Sequence, residues 1–182
     1  MARAGGAKLK RSETVTVRLD PKLNYLCELA SRAQRRTKSS FIEWSVAEVL
    51  KTVHIPEATK YDAEIGDVRP PSISEEASSL WHVDEADRVV ALGFHAPALM
   101  THDEQIIWKL IKENGHLWKG RYDSLGEWSW ELHEHALIKE RLRVHWEKFK
   151  AVAAEEASLE TLPAWQKTKT GSNDDFDDDI PF

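Results

Sequence analysis

Residues 12–20 read Ser-Glu-Thr-Val-Thr-Val-Arg-Leu-Asp, and Pro21 follows. Val15, Val17 and Leu19 alternate with Thr14, Thr16 and Arg18. That period of two marks a strand with one apolar and one polar face. Asp20-Pro21 ends the strand and opens a helix, with Asp as N-cap and Pro at the first helical position. One strand this short is not stable alone, because its backbone groups and its apolar face both need a partner. Two copies paired antiparallel across a dimer supply one. This requirement constrains the chain more than any other feature.

The helix opened by Pro21 carries Leu23, Leu26, Cys27, Ala30 and Ala33 on one stripe and fades in the basic run Gln34–Lys38. Thr37 caps a second helix, with Phe41, Ile42, Ser45, Val46, Val49, Leu50 and Val53 at helical spacing. Residues 1–11 have no periodicity and form a flexible basic arm. The net charge of −6 hides a split: residues 1–55 hold eleven Lys or Arg against five Asp or Glu, so they carry +6 and the remainder −12. A basic end on an acidic chain points to a polyanionic partner.

A two-stranded ribbon fits the major groove of B-DNA. Thr14, Thr16 and Arg18 are then the base readers, Arg18 being suited to guanine O6 and N7. The N–H groups and partial positive charge at the start of the second helix suit a DNA phosphate. Lys38, Ser39 and Ser40 lie there, and Lys8, Lys10, Arg11, Arg35 and Arg36 add charge. The stretch from Thr14 to Leu50, TVTVRLDPKLNYLCELASRAQRRTKSSFIEWSVAEVL, resembles the ribbon-helix-helix family of DNA-binding proteins across residues 12–54. The resemblance implies an intertwined homodimer, able to extend to higher oligomers on DNA. It also implies base reading by Thr14, Thr16 and Arg18, and phosphate contacts at Lys38 and Ser39. The turn glycine common in that family is absent here, where the turn reads Ala-Gln-Arg-Arg-Thr-Lys.

Residues 55–79, with Pro56, Pro70 and Pro71, read as a linker. Helical patterns return over 80–157. Asp84 caps one helix, Thr101–Glu104 is a capping box for another, and Gly115 is placed as its C-terminal cap. A long helix is expected from about Ser129 to Ala157, including Leu132, Ala136, Leu142, Trp146 and Phe149. Six of the eight tryptophans fall between residues 80 and 150. Lys109, Lys112, Lys119, Arg121, Arg141 and Arg143 interleave with them, the composition of a single-strand stacking platform. The segment is acidic as a whole, however, and Trp108 and Trp146 fall on apolar helical faces, so core packing is favoured. Trp128 and Trp130 share one side of an extended stretch and are the pair expected to be exposed. His133-Glu134-His135 has the wrong spacing for two metal ligands on one helix face. The lone Cys27 excludes an internal disulfide and any cysteine-based zinc site. No cofactor, metal or catalytic set is expected. A metal-dependent enzyme in the middle segment is the alternative of a different class.

Residues 158–182 read as a disordered tail ending Asp-Asp-Phe-Asp-Asp-Asp-Ile-Pro-Phe. Solvation explains the aspartates but not Ile180-Pro181-Phe182. A C-terminal phenylalanine offers a ring and a carboxylate to one pocket, and Pro181 reduces the entropy lost on docking. The nine residues resemble the tip of bacterial single-stranded DNA-binding protein. By that resemblance, Asp177, Asp178, Asp179, Ile180, Pro181 and Phe182 would dock on the genome-maintenance proteins that bind such tips.

The expectation is thus a mainly α chain: a dimeric ribbon-helix-helix domain, a Trp-rich helical domain and an acidic tail. It would bind double-stranded DNA in a bacterial cytoplasm, associated with the nucleoid, as a regulator suited to a mobile genetic element. Its tip would recruit or compete for partners. A transcriptional repressor or an origin or relaxosome accessory protein, with an acidic tail that screens its own DNA-binding face, is the alternative. No stretch approaches the roughly 18 apolar residues of a membrane span.

Overall fold

The computed structural model describes residues 14–165. It is mainly α, with six α-helices and two small two-stranded sheets among those residues. The first two helices are α1 (Pro21–Ala33) and α2 (Lys38–Leu50). Asp20 caps α1 by accepting from the N–H groups of Lys22 and Leu23, both at 3.0 Å. Thr37 Oγ1 caps α2, accepting from Ser40 N at 3.1 Å. These bonds satisfy donors that a helix start leaves open.

The turn between the two helices solves the missing-glycine problem. Arg35 takes the left-handed conformation, with φ 53°. Arg36 N donates to Ser31 O at 2.9 Å and Arg35 N to Arg32 O at 3.1 Å, the paired bonds of a Schellman ending. A side chain at that φ costs roughly 1 kcal/mol that glycine avoids. Arg35→Gly is therefore expected to raise stability by about 0.5 kcal/mol, read as a shift in urea midpoint without a change in slope. A lower midpoint would show that the Arg35 side chain contributes contacts worth more than the strain.

Residues 55–79 carry more order than a linker. Strands β1 (Lys60–Asp62) and β2 (Asp67–Arg69) pair antiparallel, Tyr61 opposite Val68, and the short helix α3 (Ala77–Leu80) follows. Arg69 bridges Asp62 and Glu75, and Lys60 Nζ meets Glu76 Oε1 at 2.8 Å. The Arg69 guanidinium and the Ser72 N–H hold the Glu75 carboxyl far below the usual carboxylate range. Ile55 is fully buried. Ile55 N donates to Pro71 O, and Ile73 N to Val53 O, both at 2.9 Å, so the hairpin is sewn to the residues that follow α2.

Helices α4 (Glu85–His95), α5 (His102–Glu113) and α6 (Lys139–Ala153) enclose the core. Asp84 caps α4, and Thr101 with Glu104 closes the expected capping box on α5. Val90, Ile111, Leu117, Trp118, Leu142 and Phe149 are fully buried. Trp118 Nε1 donates to Ile111 O at 2.8 Å, so its one polar atom is satisfied. Gly93 is required by close approach: a Cβ there would lie 2.5 Å from the Trp108 ring. Arg143 of α6 grips Asp87 of α4, whose residue exposure is only 4%.

Three expectations for this region are corrected. Helix α6 starts at Lys139, ten residues after Ser129, because Trp128–Trp130 forms strand β4, paired with β3 (Gly120–Tyr122). Gly115 does not cap α5; it opens a 3-10 turn, where a Cβ would meet the Trp130 ring at 2.7 Å. The ordered chain also continues past residue 158. Leu162 packs on the core, Pro163 O accepts from Asn114 Nδ2 at 2.9 Å, and Trp165 stacks on Trp128 at 4.0 Å and 15°. The arm residues Lys8, Lys10 and Arg11, and the whole acidic tip, lie outside the described residues.

Candidate nucleic-acid interface

Thr14, Thr16 and Arg18 are exposed, in a segment with no regular hydrogen-bonded partner within the single chain. The apolar residues that alternate with them are open too: Val15 is 77% and Val17 66% exposed. The helices behind them share this property. Leu23, Leu26 and Leu29 of α1 are exposed, as are Ile42, Val46, Val49 and Leu50 of α2. Over residues 14–53 only Ser31 is buried. Two well-capped helices thus pack together without enclosing any apolar side chain. An open apolar stripe of this extent is unusual for a finished surface.

The phosphate-binding candidates divide. Ser39 and Arg36 are exposed and Ser40 is half-buried at the α2 N-terminus. The Arg36 guanidinium lies 5.5 Å from the centre of the Trp44 ring, which holds it beside that terminus. Lys38 is turned back: its ammonium donates to Asn24 Oδ1 of α1 and lies 3.9 Å from Glu28. It braces the two helices, so Arg36 and Ser39 are the better placed of the candidates. Arg35 is exposed in the turn.

The tryptophans sort differently from expectation. Trp108, Trp118 and Trp146 are buried. Trp128 and Trp130 do share a strand face, but that face is packed. Their Nε1 atoms donate to Gly115 O at 3.2 Å and to Lys112 O at 3.1 Å. The exposed tryptophan is Trp81, at 60%, with Arg88 5.3 Å from its ring centre. This removes the best candidates for a stacking platform. The His133 and His135 rings stack on each other at 5.4 Å, and Glu134 bonds His95 and Lys139 instead. No group of three or more His, Cys, Asp or Glu among the described residues is placed to hold a metal ion. No helix among them is long and apolar enough to cross a membrane.

A feature that sequence reading missed lies on α6. Arg141, His145 and Lys148 repeat at four and three residues, and His116 faces His145 with ring centres 5.9 Å apart. Burial, then the neighbouring Arg141 and His145, hold His116 below the usual imidazole value; burial and Lys148 do the same to His145. Compared with family models, curated proteins and solved structures, the chain matches none.

Proposed function

We propose that the chain is a dimeric, sequence-specific double-stranded DNA-binding regulator. One observation carries the reading: residues 14–53 form two capped helices and an alternating segment with no buried apolar residue. A second copy, pairing Thr14–Leu19 antiparallel and covering the α1 and α2 stripes, supplies both the missing strand partner and the missing core. The paired segments then present Thr14, Thr16 and Arg18 to base edges, while Arg36 and Ser39 hold flanking phosphate. The Asp177–Phe182 segment adds a second activity. Ile180, Pro181 and Phe182 enter an apolar pocket on a genome-maintenance protein, and the aspartates speed the encounter over its basic rim.

The test uses DNA selected by the full-length protein from a random duplex pool. Arg18→Ala should weaken binding to the selected sequence by about tenfold or more, the loss of one bidentate contact, and should relax the base preference at one position. Affinity should fall steeply with salt for both proteins. Unchanged affinity and preference would refute base reading by the segment. For the tip, deletion of Phe182 should remove specific proteins from those captured by the full chain; identical captures would remove the docking claim.

A further inference from the structure

Helix α6 carries six basic side chains, and they fall into two sets. Lys139 pairs with Glu134, Arg143 with Asp87, and Lys150 with Glu85 and Glu147. Arg141, His145 and Lys148 make no ion pair among the described residues, although residues 56–182 carry −12. Among the described residues the one side-chain hydrogen bond from this set is Arg141 Nη1 donating to His116 O at 2.8 Å. The groups facing the histidine pair are the cations Arg141 and Lys148. Two unpaired cations, Arg141 and Lys148, thus flank the His145 ring along an acidic domain, with Val144, 72% exposed, beside them.

The place where the described chain stops is next to this set. Asn114 bonds Pro163 O through Nδ2 and His116 N through Oδ1, so one side chain links the start of the tail to the histidine pair. Eight residues lie between Trp165 and Asp174, a reach of up to about 30 Å. The stripe from Arg141 to Lys148 is about 10 Å long, and the acidic run 174–179 spans about 20 Å when extended. The acidic run is long enough to cover the stripe, starts within reach of it, and carries the opposite charge.

We propose that the acidic segment Asp174–Asp179 docks along the Arg141–His145–Lys148 stripe, with His116 at its edge and Val144 beneath Phe176. The aspartates then lie against the helical domain, and a partner for the tip has to displace them. Docking on α6 also keeps the acidic segment away from the DNA-reading face. The inference stands whether or not the tip recruits another protein.

The experiment uses the full chain with Cys27→Ser and Ser172→Cys, a nitroxide on the new cysteine, and backbone amide spectra at about 0.05 M and about 0.5 M salt. At low salt, signals of residues 141–148 and His116 should lose intensity, and high salt should restore it. The loss should vanish in Arg141→Glu/Lys148→Glu, and also when the five aspartates of the tail are changed to asparagine. The second variant leaves every described residue untouched, so it decides the matter if the first fails to fold. Intensity loss confined to residues 14–38 would overturn the proposal in favour of a tail that screens the DNA face. Loss nowhere, or loss that persists in the asparagine variant, would also overturn it. So would a short DNA duplex that shifts the 141–148 amides of that variant more than those of residues 14–38, which would make the stripe a nucleic-acid surface.

Discussion

A full-length chain with Val46→Asp and Val49→Asp is expected to sediment as a monomer where the unaltered chain is a dimer, and to lose about 100-fold or more in DNA affinity. Both valines are open in the single chain, at 54% and 56% exposure. Aspartate there costs the isolated fold only a few tenths of a kcal/mol in helix propensity. In the proposed dimer the same positions face a second copy, so four carboxylates would be desolvated without partners. Each such burial costs about 1–3 kcal/mol even by the modest protein scale, and every 1.4 kcal/mol is tenfold in affinity. DNA binding must follow, because the ribbon has two strands only when two chains are present. Val68→Asp, similarly exposed at 58% but on β2, is the matched control and should change neither property. A double-aspartate chain that still dimerises would show that the open stripe is not the interface. One that is monomeric yet binds selected DNA with full affinity would refute the ribbon while leaving the dimer intact.

What the sequence made legible was local. Asp20-Pro21, Thr37, Asp84 and the Thr101–Glu104 box each start a helix where expected, because a cap and the donors it satisfies lie within three residues. The hairpin at 60–69 was not legible. Its strands are three residues long, and its bracing comes from Arg69–Glu75 and Lys60–Glu76 pairs that no periodicity encodes. The start of α6 was misplaced for a related reason. Trp128 and Trp130 are locked as a strand by bonds to carbonyls 13 and 18 residues earlier. A tertiary bond of that span overrides the helical spacing of Leu132 and Ala136.

The candidate site divides along the same line. Arg36 and Ser39 stand at the start of α2 because their place is set by the Thr37 cap next to them. Lys38 reaches across fourteen residues to Asn24, which its position in the sequence does not reveal. The 141–145–148 spacing on α6 could be read directly. That its charges are unneutralised could not, since this depends on where Glu134, Asp87 and Glu85 come to rest against the same helix.

Trp118→Ala is expected to lower the melting temperature of the helical domain by about 15 °C while leaving DNA affinity at 20 °C within about threefold. Removing a fully buried tryptophan costs about 3–5 kcal/mol, and 1 kcal/mol moves the midpoint of a domain this size by about 4–8 °C. The lost indole also gives up its bond to Ile111 O, but that carbonyl keeps Asn114 N as a donor at 3.3 Å, so little is added for an orphaned acceptor. Trp81→Ala, at an exposed site with one cation–π contact, should cost about 1 kcal/mol or less. The second half of the expectation rests on how the core is divided. No residue of 14–53 belongs to the buried cluster that holds Trp118, and the head is joined to the rest through the backbone bonds of Ile55, Ile73 and Ser74. A cavity at Trp118 therefore loosens α4, α5 and α6 without touching the stripe proposed to pair two copies. Calorimetry should show the transition of the helical domain moving alone. A DNA affinity that falls in step with the melting temperature would mean that the head draws its order from the helical domain and not from a second copy.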